Sequence, residues 1–341
     1  MNLNPFSTLA RLVDETPRRA LVLLIGLVAI LAVAPAVLDR YLLSVFFLIF
    51  WFATVGQAWN IMMGFCGQLS LGHALYVGLG GYVGAILWVK FGISPAIAIL
   101  PAMAVAVVFG MAIGWLGFRF GIEGVYFALL TIAFAEVARI GFDNWSFVGG
   151  AAGFFMPVTA GGGSAWNLRG GPLLFYYVAL AMMALAFIIC ALLRRSKLGL
   201  SWLAVREDAE AARALGINVF RAKMAAVVIS AAMTAVAGVC YAFYQNNLFP
   251  SQTFDMARSI EVILAPIIGG LGTLFGPILG AFILTPLGQT LIALVEKIAG
   301  RSIPGVNLVF YGAALMAIMW FSPNGVWPWL KKKLGIPEER Q

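Results

Sequence analysis

Asn60, Gln68, Ser70 and His73 fall close together in an otherwise oily stretch, around the glycine-interrupted sequence GFCGQLS (64–70). Their side chains can donate and accept hydrogen bonds, and a glycine break in an apolar segment frees backbone groups that need partners or water. In membrane proteins such breaks often line a pathway. His73 has no neighbouring nucleophile to activate, so general-base chemistry is not implied. Two readings of His73 stand: a hydrogen-bonded structural residue near a helix end, or a contact to a passing solute. A second constellation, Glu136 and Arg139, shares one helix face at i,i+3. It reads either as a structural ion pair or as part of a translocation path.

Other chemistries find no support. The chain has one histidine, so a histidine metal cluster is not expected. Cys66, Cys190 and Cys240 are far apart, lack a Cys-x-x-Cys pairing, and read as small buried side chains. No Gly-x-x-x-x-Gly-Lys-Ser/Thr sequence occurs, so nucleotide hydrolysis by a P-loop is not expected of this chain, nor is a cofactor.

The most charged stretch is AVREDAEAARALGINVFRAK (204–223). Ala, Glu, Arg and Leu favour helix, and one short helix is predicted over 206–216. Pairs Arg206–Glu210 and Glu210–Arg213 would each add a few tenths of a kcal/mol. Glu207 and Asp208 would occupy the first turn, where the helix dipole favours acids. Gly216 would stop the helix in a left-handed conformation. Ala209, Ala212 and Leu215 form a slim apolar stripe. So short a helix does not persist alone in water, and the stripe must rest on its own bundle or on a partner.

The elements that carry these residues are set by composition. The 341 residues are 62% hydrophobic and 11% charged, about half the charged share of a soluble domain. The mean hydropathy is +0.96. Apolar runs of about twenty residues recur, without the alternation of a membrane barrel. The expected fold is an all-α polytopic membrane protein with about ten spans, near 20–38, 41–62, 70–89, 94–117, 122–142, 172–193, 222–244, 259–270, 275–297 and 304–321. The eighth is short and breaks at GGLGTLFG (269–276), as a broken or re-entrant helix would. The first is read as an uncleaved span, since AVA (32–34) is followed by Pro35.

A single transmembrane domain over 1–330 is expected, with an N-terminal segment 1–19, a far-side loop 143–171, a charged loop 194–221 and a basic tail 331–341. Ten crossings put both termini on one side. With the N-terminus cytoplasmic, that side holds fifteen of the twenty-two Lys and Arg residues, which fits the positive-inside bias. The net charge of +8 therefore speaks for a bilayer and against nucleic acid. Gly80-x-x-x-Gly84, Gly110-x-x-x-Gly114, Gly117-x-x-x-Gly121 and Gly276-x-x-x-Gly280 predict close helix packing. Loop 143–171, rich in Gly and aromatics, is expected to lie irregularly against the outer mouth.

SKLGLSWLAVREDAEAARALGINVFRAKMAAVVISAAMTAVAGVCYAFY (196–244) resembles the cytoplasmic coupling loop and following span of permeases in ABC importers of the branched-chain amino-acid class, the LivM-type subunits in particular. WNIMMGFCGQLSLGHALYVGLGGY (59–82), GVYFALLTIAFAEV (124–137) and SIEVILAPIIGGLGTLFGPILGAF (259–282) are similar to three further blocks of that family, in the same order. The resemblance implies a permease of the bacterial inner membrane, driven by separate ATPase subunits that bind the ATP. It implies a second, related permease chain and a periplasmic solute-binding protein as further partners. It assigns coupling to Arg206, Glu207, Asp208, Ala212, Leu215 and Gly216. The solute it implies is a branched-chain or related amino acid; related systems carry amides, urea or aromatic acids. An ion-gradient-driven transporter is the alternative class, and it would want more intramembrane carboxylates than Glu136.

Overall fold

The computed structural model describes residues 30–157, 165–299 and 305–333, together with Gly26. Its helices are α1 (Arg40–Asn60), α2 (His73–Phe91), α3 (Pro95–Arg119), α4 (Gly124–Asn144), α5 (Pro172–Arg194), α6 (Lys197–Glu207), α7 (Ala209–Ala214), α8 (Val219–Gln245), α9 (Pro250–Thr253), α10 (Met256–Gly269), α11 (Gly276–Ala299), α12 (Val306–Phe321) and α13 (Val326–Lys333). A 3-10 turn, Ala34–Ala36, precedes α1, and the other 3-10 and π turns sit between the helices. The expected all-α polytopic architecture is the observed one.

Seven of these helices are long and apolar enough to cross a membrane: α1 with its extension to Phe65, α2, α3, α4, α5, α8 and α11. They coincide with seven of the ten expected spans. The expected span 259–270 is the 14-residue α10, and the last is the 16-residue α12. At 1.5 Å per residue these cover only about 21 and 24 Å. Of the first expected span, 20–38, residues 20–25 and 27–29 lie outside the described residues, as do all of segment 1–19 and the tail beyond 333.

α1 is the central staff of the bundle. Phe47, Phe50, Trp51 and Trp59 on it are fully buried, against α5 on one side and α11 on the other. Buried indoles need an acceptor. Trp51 Nε1 donates to the Ala237 carbonyl at 2.9 Å and Trp59 Nε1 to the Ser70 carbonyl at 2.7 Å.

Small residues let the helix backbones meet where lipid supplies no drive for apolar side chains to associate. A Cβ at Gly80 would stand 2.3 Å from the Ala235 carbonyl oxygen, which seats α2 directly on α8. At Gly280 it would stand 1.8 Å from the Ala265 oxygen, which seats α11 on α10. One predicted pair is only half right: Gly121 meets nothing and instead takes a left-handed turn after α3, with φ +67°. We expect Gly280→Val to separate α10 from α11 and destabilise the bundle by at least about 1–3 kcal/mol, the ordinary cost of overpacking. A lowered thermal midpoint of the detergent-purified protein checks it.

Pro266 interrupts α10 where its ring meets α1: a Cβ on Gly56 would lie 3.1 Å from the proline Cδ. At the far end, the loop after α4 is irregular, as expected. It makes two 3-10 turns and then a two-residue strand β1 (Phe154–Phe155), antiparallel to β2 (Asn247–Leu248) after α8. Lys90 Nζ donates to the Phe147 carbonyl at 2.6 Å and Ser94 Oγ to the Trp166 carbonyl at 2.7 Å. Residues 158–164 of this loop lie outside the described part.

Candidate functional site

The charged segment is two helices with a joint, and not the single helix predicted over 206–216. α6 ends at Glu207; Asp208 turns extended (φ −156°, ψ 112°) and caps the six-residue α7. Its carboxylate accepts from Glu210 N at 2.8 Å and Ala211 N at 2.9 Å. An aspartate's preference for the N-cap outweighs its place inside a helix, and this is why the run breaks there. With the joint in place, Arg206 pairs with the adjacent Glu207 at 2.7 Å, and not with Glu210 as expected. Glu207 ends a helix and does not start one. Gly216 takes the left-handed conformation expected of it, with φ +85°.

The apolar stripe divides as well. Ala212 is buried, while Leu215 at the tip is 82% exposed. Trp202 anchors the arm: it is fully buried and its Nε1 donates to the Ala222 carbonyl at 2.8 Å. Leu215, Glu207, Glu210 and Arg213 thus form an open, charged tip around one apolar side chain, on a firmly held base.

Arg206 also reaches inward. Its Nη1 donates to the carbonyl of Gly64 at 2.7 Å. Gly64 lies in a π-helical turn, Ile61–Phe65, that extends α1 and frees backbone carbonyls before the GFCGQLS break. From the start of the same turn, the buried Asn60 Nδ2 donates to the Thr273 carbonyl and its Oδ1 accepts from Gly272 N, both at 2.9 Å. One amide therefore staples the two glycine breaks together, and Arg206 ties the charged segment to the first of them.

His73 and Ser70 are buried beside this hub and hydrogen-bonded into it. His73 is fully buried; its Nε2 lies 2.8 Å from Ser230 Oγ and its Nδ1 3.3 Å from Ser70 Oγ. Ser230 donates to the Ala58 carbonyl at 2.7 Å, so its oxygen is left to accept from Nε2–H. Ala74 N donates to Ser259 Oγ and Leu71 N to Thr131 Oγ1, each at 3.0 Å. The break is thus held to α4, α8 and α10 at once. Gln68 is buried, and its Nε2 lies 3.3 Å from the Cys66 carbonyl.

Glu136 is not brought to this hub. It stands on α4, half exposed, bound through both oxygens to Arg139 at 2.9 and 2.5 Å; Arg139 Nη1 adds Asp143 at 2.8 Å. Ionised groups cost about 2.5–3.5 kcal/mol each at the centre of a spanning helix, so a half-exposed pair there needs water or protein against it. Two further pairs hold helix ends: Lys223 with Glu123 at 2.6 Å, and Arg258 with Glu261 at 3.0 Å. In the loop beyond α4, burial lowers the pKa of Arg169 from the usual arginine value.

Several residues escaped the sequence reading. Ser230 and Thr273 are ordinary hydroxyl residues until the fold sets them beside His73 and Asn60. Asp143 completes an i,i+4 spacing with Arg139 that was legible. Gln57, with both amide atoms unpartnered among the described residues, is a lone polar residue in an apolar run. No group of three His, Cys, Asp or Glu side chains able to hold a metal occurs among the described residues. The three cysteines are buried and free.

A multi-pass helical bundle with interrupted, stapled spans and a projecting charged arm is the architecture of a polytopic membrane protein. Residues 41–319 match the family described as branched-chain amino acid transport system, permease component, and the chain belongs to that family. Over 95% of its length it is 26% identical to the high-affinity branched-chain amino acid transport system permease protein LivM of Escherichia coli, covering 79% of that protein. The LivM of Salmonella typhimurium is similar to the same degree. The Autoinducer 2 import system permease protein LsrC of Yersinia pestis is 31% identical over 43% of this chain and 45% of its own length. No solved structure matches the chain.

Proposed function

We propose that this chain is a permease subunit of an importer for branched-chain or related amino acids, moved from the cytoplasm by separate ATPase subunits that grip the arm at 206–216. The observation that carries this reading is the hydrogen bond from Arg206 to Gly64. It joins the residue at the root of the arm to the first of two interrupted spans, and Asn60 passes the connection to the second.

The arm's division suits the task. Asp208 and Gly216 bracket α7 with two non-helical joints, Trp202 and Ala212 fix its base, and Leu215 is left for a partner's groove. A push on α7 reaches the breaks across the single-residue joint at Asp208 and then through Arg206. Interrupted spans are the places where a helical bundle can change angle at little cost. ATP, bound by the partner subunits, supplies the closing motion; this chain's own residues receive and relay it. The solute would pass between this chain and a second permease chain, after delivery by a periplasmic binding protein. Both termini and the arm would face the cytoplasm of a bacterial inner membrane.

Purification of the tagged chain from its native membrane tests this reading. ATPase subunits should co-purify, and the complex in liposomes, with the solute-binding protein on the opposite side, should take up leucine only with ATP on the side that carries Arg213. Gradient-driven uptake by the chain alone would overturn it.

A further inference from the structure

The basic end of the chain has a definite seat in the fold. α13 follows α12 after four residues, so it starts within about 18 Å of the end of that helix. It packs on the second glycine break. A Cβ on Gly270 would stand 3.0 Å from Pro328 Cδ, and one on Gly325 would stand 2.4 Å from Gly270 Cα. The Trp327 and Phe275 rings lie 4.8 Å apart. The root of the arm meets the same break, since a Cβ on Gly272 would stand 2.9 Å from Arg206 Nη1. α13 and the arm therefore share one end of the bundle.

α12 carries an apolar stripe toward that end. Val309, Met316 and Trp320, spaced seven and four apart, are 72%, 69% and 85% exposed. Such spacing puts them on one face of the helix. Beyond the stripe the chemistry changes. Trp329, Lys332 and Lys333 are exposed, and Lys333 Nζ lies 5.1 Å from the centre of the Trp329 ring. From Ser302 to Lys333 the chain has no acidic residue. Among the described residues, Lys331, Lys332 and Lys333 form no ion pair. Hydrocarbon fits the stripe, and the boundary between acyl chains and headgroups fits the exposed indoles. Three ammonium groups just beyond that boundary call for phosphate. An acidic protein surface would answer the lysines but not the stripe that leads to them.

We propose that α13 is a binding site for anionic phospholipid, with Lys331, Lys332 and Lys333 on the headgroup phosphate and Trp320 and Trp329 at the acyl boundary. Lipid bound there holds α13 against the break at 269–276 from outside, as Asn60 holds that break from within. Each lysine near an anionic membrane surface strengthens the attraction about fivefold. The site concerns the bilayer and not the solute, so it stands apart from the reading of the arm.

Lipid-resolved quenching on the full chain tests it. Asn324→Cys, exposed in the turn between α12 and α13, carries a bimane, while Cys66, Cys190 and Cys240 are buried. The protein is reconstituted into mixed phosphatidylcholine and phosphatidylglycerol vesicles, with a headgroup-proximal nitroxide on one lipid at a time. Nitroxide on phosphatidylglycerol should quench at least about threefold more than nitroxide on phosphatidylcholine. Molar salt, which cuts the screening length to about 3 Å, should abolish the preference. So should Lys331→Gln, Lys332→Gln and Lys333→Gln combined, in protein that keeps the parental thermal midpoint in neutral detergent. Equal quenching by the two lipids, or a preference that survives molar salt or loss of the lysines, would overturn the site. Equal quenching together with loss of co-purifying ATPase subunits from the triple variant would give the lysines to an acidic protein surface instead. The salt measurement needs no lysine variant, so misfolding of the triple variant would leave the test intact.

Discussion

Leu215→Asp abolishes ATP-driven uptake while the protein still inserts, folds and purifies with its normal thermal midpoint. Both halves of this expectation follow from exposure. Leu215 is 82% exposed, so its replacement removes little buried surface from the chain itself. Exposed substitutions change stability by only about 0.5 kcal/mol. A leucine that fills a partner's groove is different. Removing such an anchor costs about 2–4 kcal/mol of binding, which is roughly thirty- to a thousandfold in affinity, and burying a carboxylate there costs more. Pull-down of ATPase subunits and uptake into vesicles should fall together. A variant that transports normally would show that the arm is gripped elsewhere or not at all.

The second large effect belongs to Asn60. Asn60→Leu keeps the branched shape and deletes both arms of the staple, leaving Gly272 N–H and the Thr273 carbonyl without their partner. Each unpaired buried group costs about 1–3 kcal/mol. Gly272 and Thr273 are only half-buried and water can take part of the amide's place, so a loss of about 1–3 kcal/mol in all is expected. Function should suffer in a particular way. The arm and its root stay whole, so ATP hydrolysis by the complex should persist while uptake collapses. Hydrolysis and uptake measured on the same vesicles would show the uncoupling. Equal loss of both would place Asn60 in general folding and remove it from the relay.

The fold was legible wherever one physical requirement dominated. Long apolar runs have to span, and seven of them do; small residues at helical spacing have to pack, and Gly80 and Gly280 meet backbone atoms of their neighbours. The arm was legible as an arm, because charge in so oily a chain has few places to go. Its joint was not, since a single capping preference at Asp208 had to be weighed against seven good helix formers around it. Least legible were the contacts that make a site. Asn60 and Thr273 are 213 positions apart, and no local pattern says that a side-chain amide will join one break to the other. The hydroxyl partners of His73 were hidden for the same reason. The Glu136–Arg139 pair was visible from its spacing, whereas its open position on α4 depends on what does not pack against it.

α8 runs 27 residues from Val219 to Gln245 with no proline inside it, a rod of about 40 Å. At one end the arm's anchor, Trp202, is bonded to its first turn; at the other, β2 continues into the strand pair that holds the loop after α4. Handle and latch are thus two ends of one lever. A tilt that lifts the one must swing the other, so in the proposed permease a movement of the arm would be felt at the strand pair about 40 Å away.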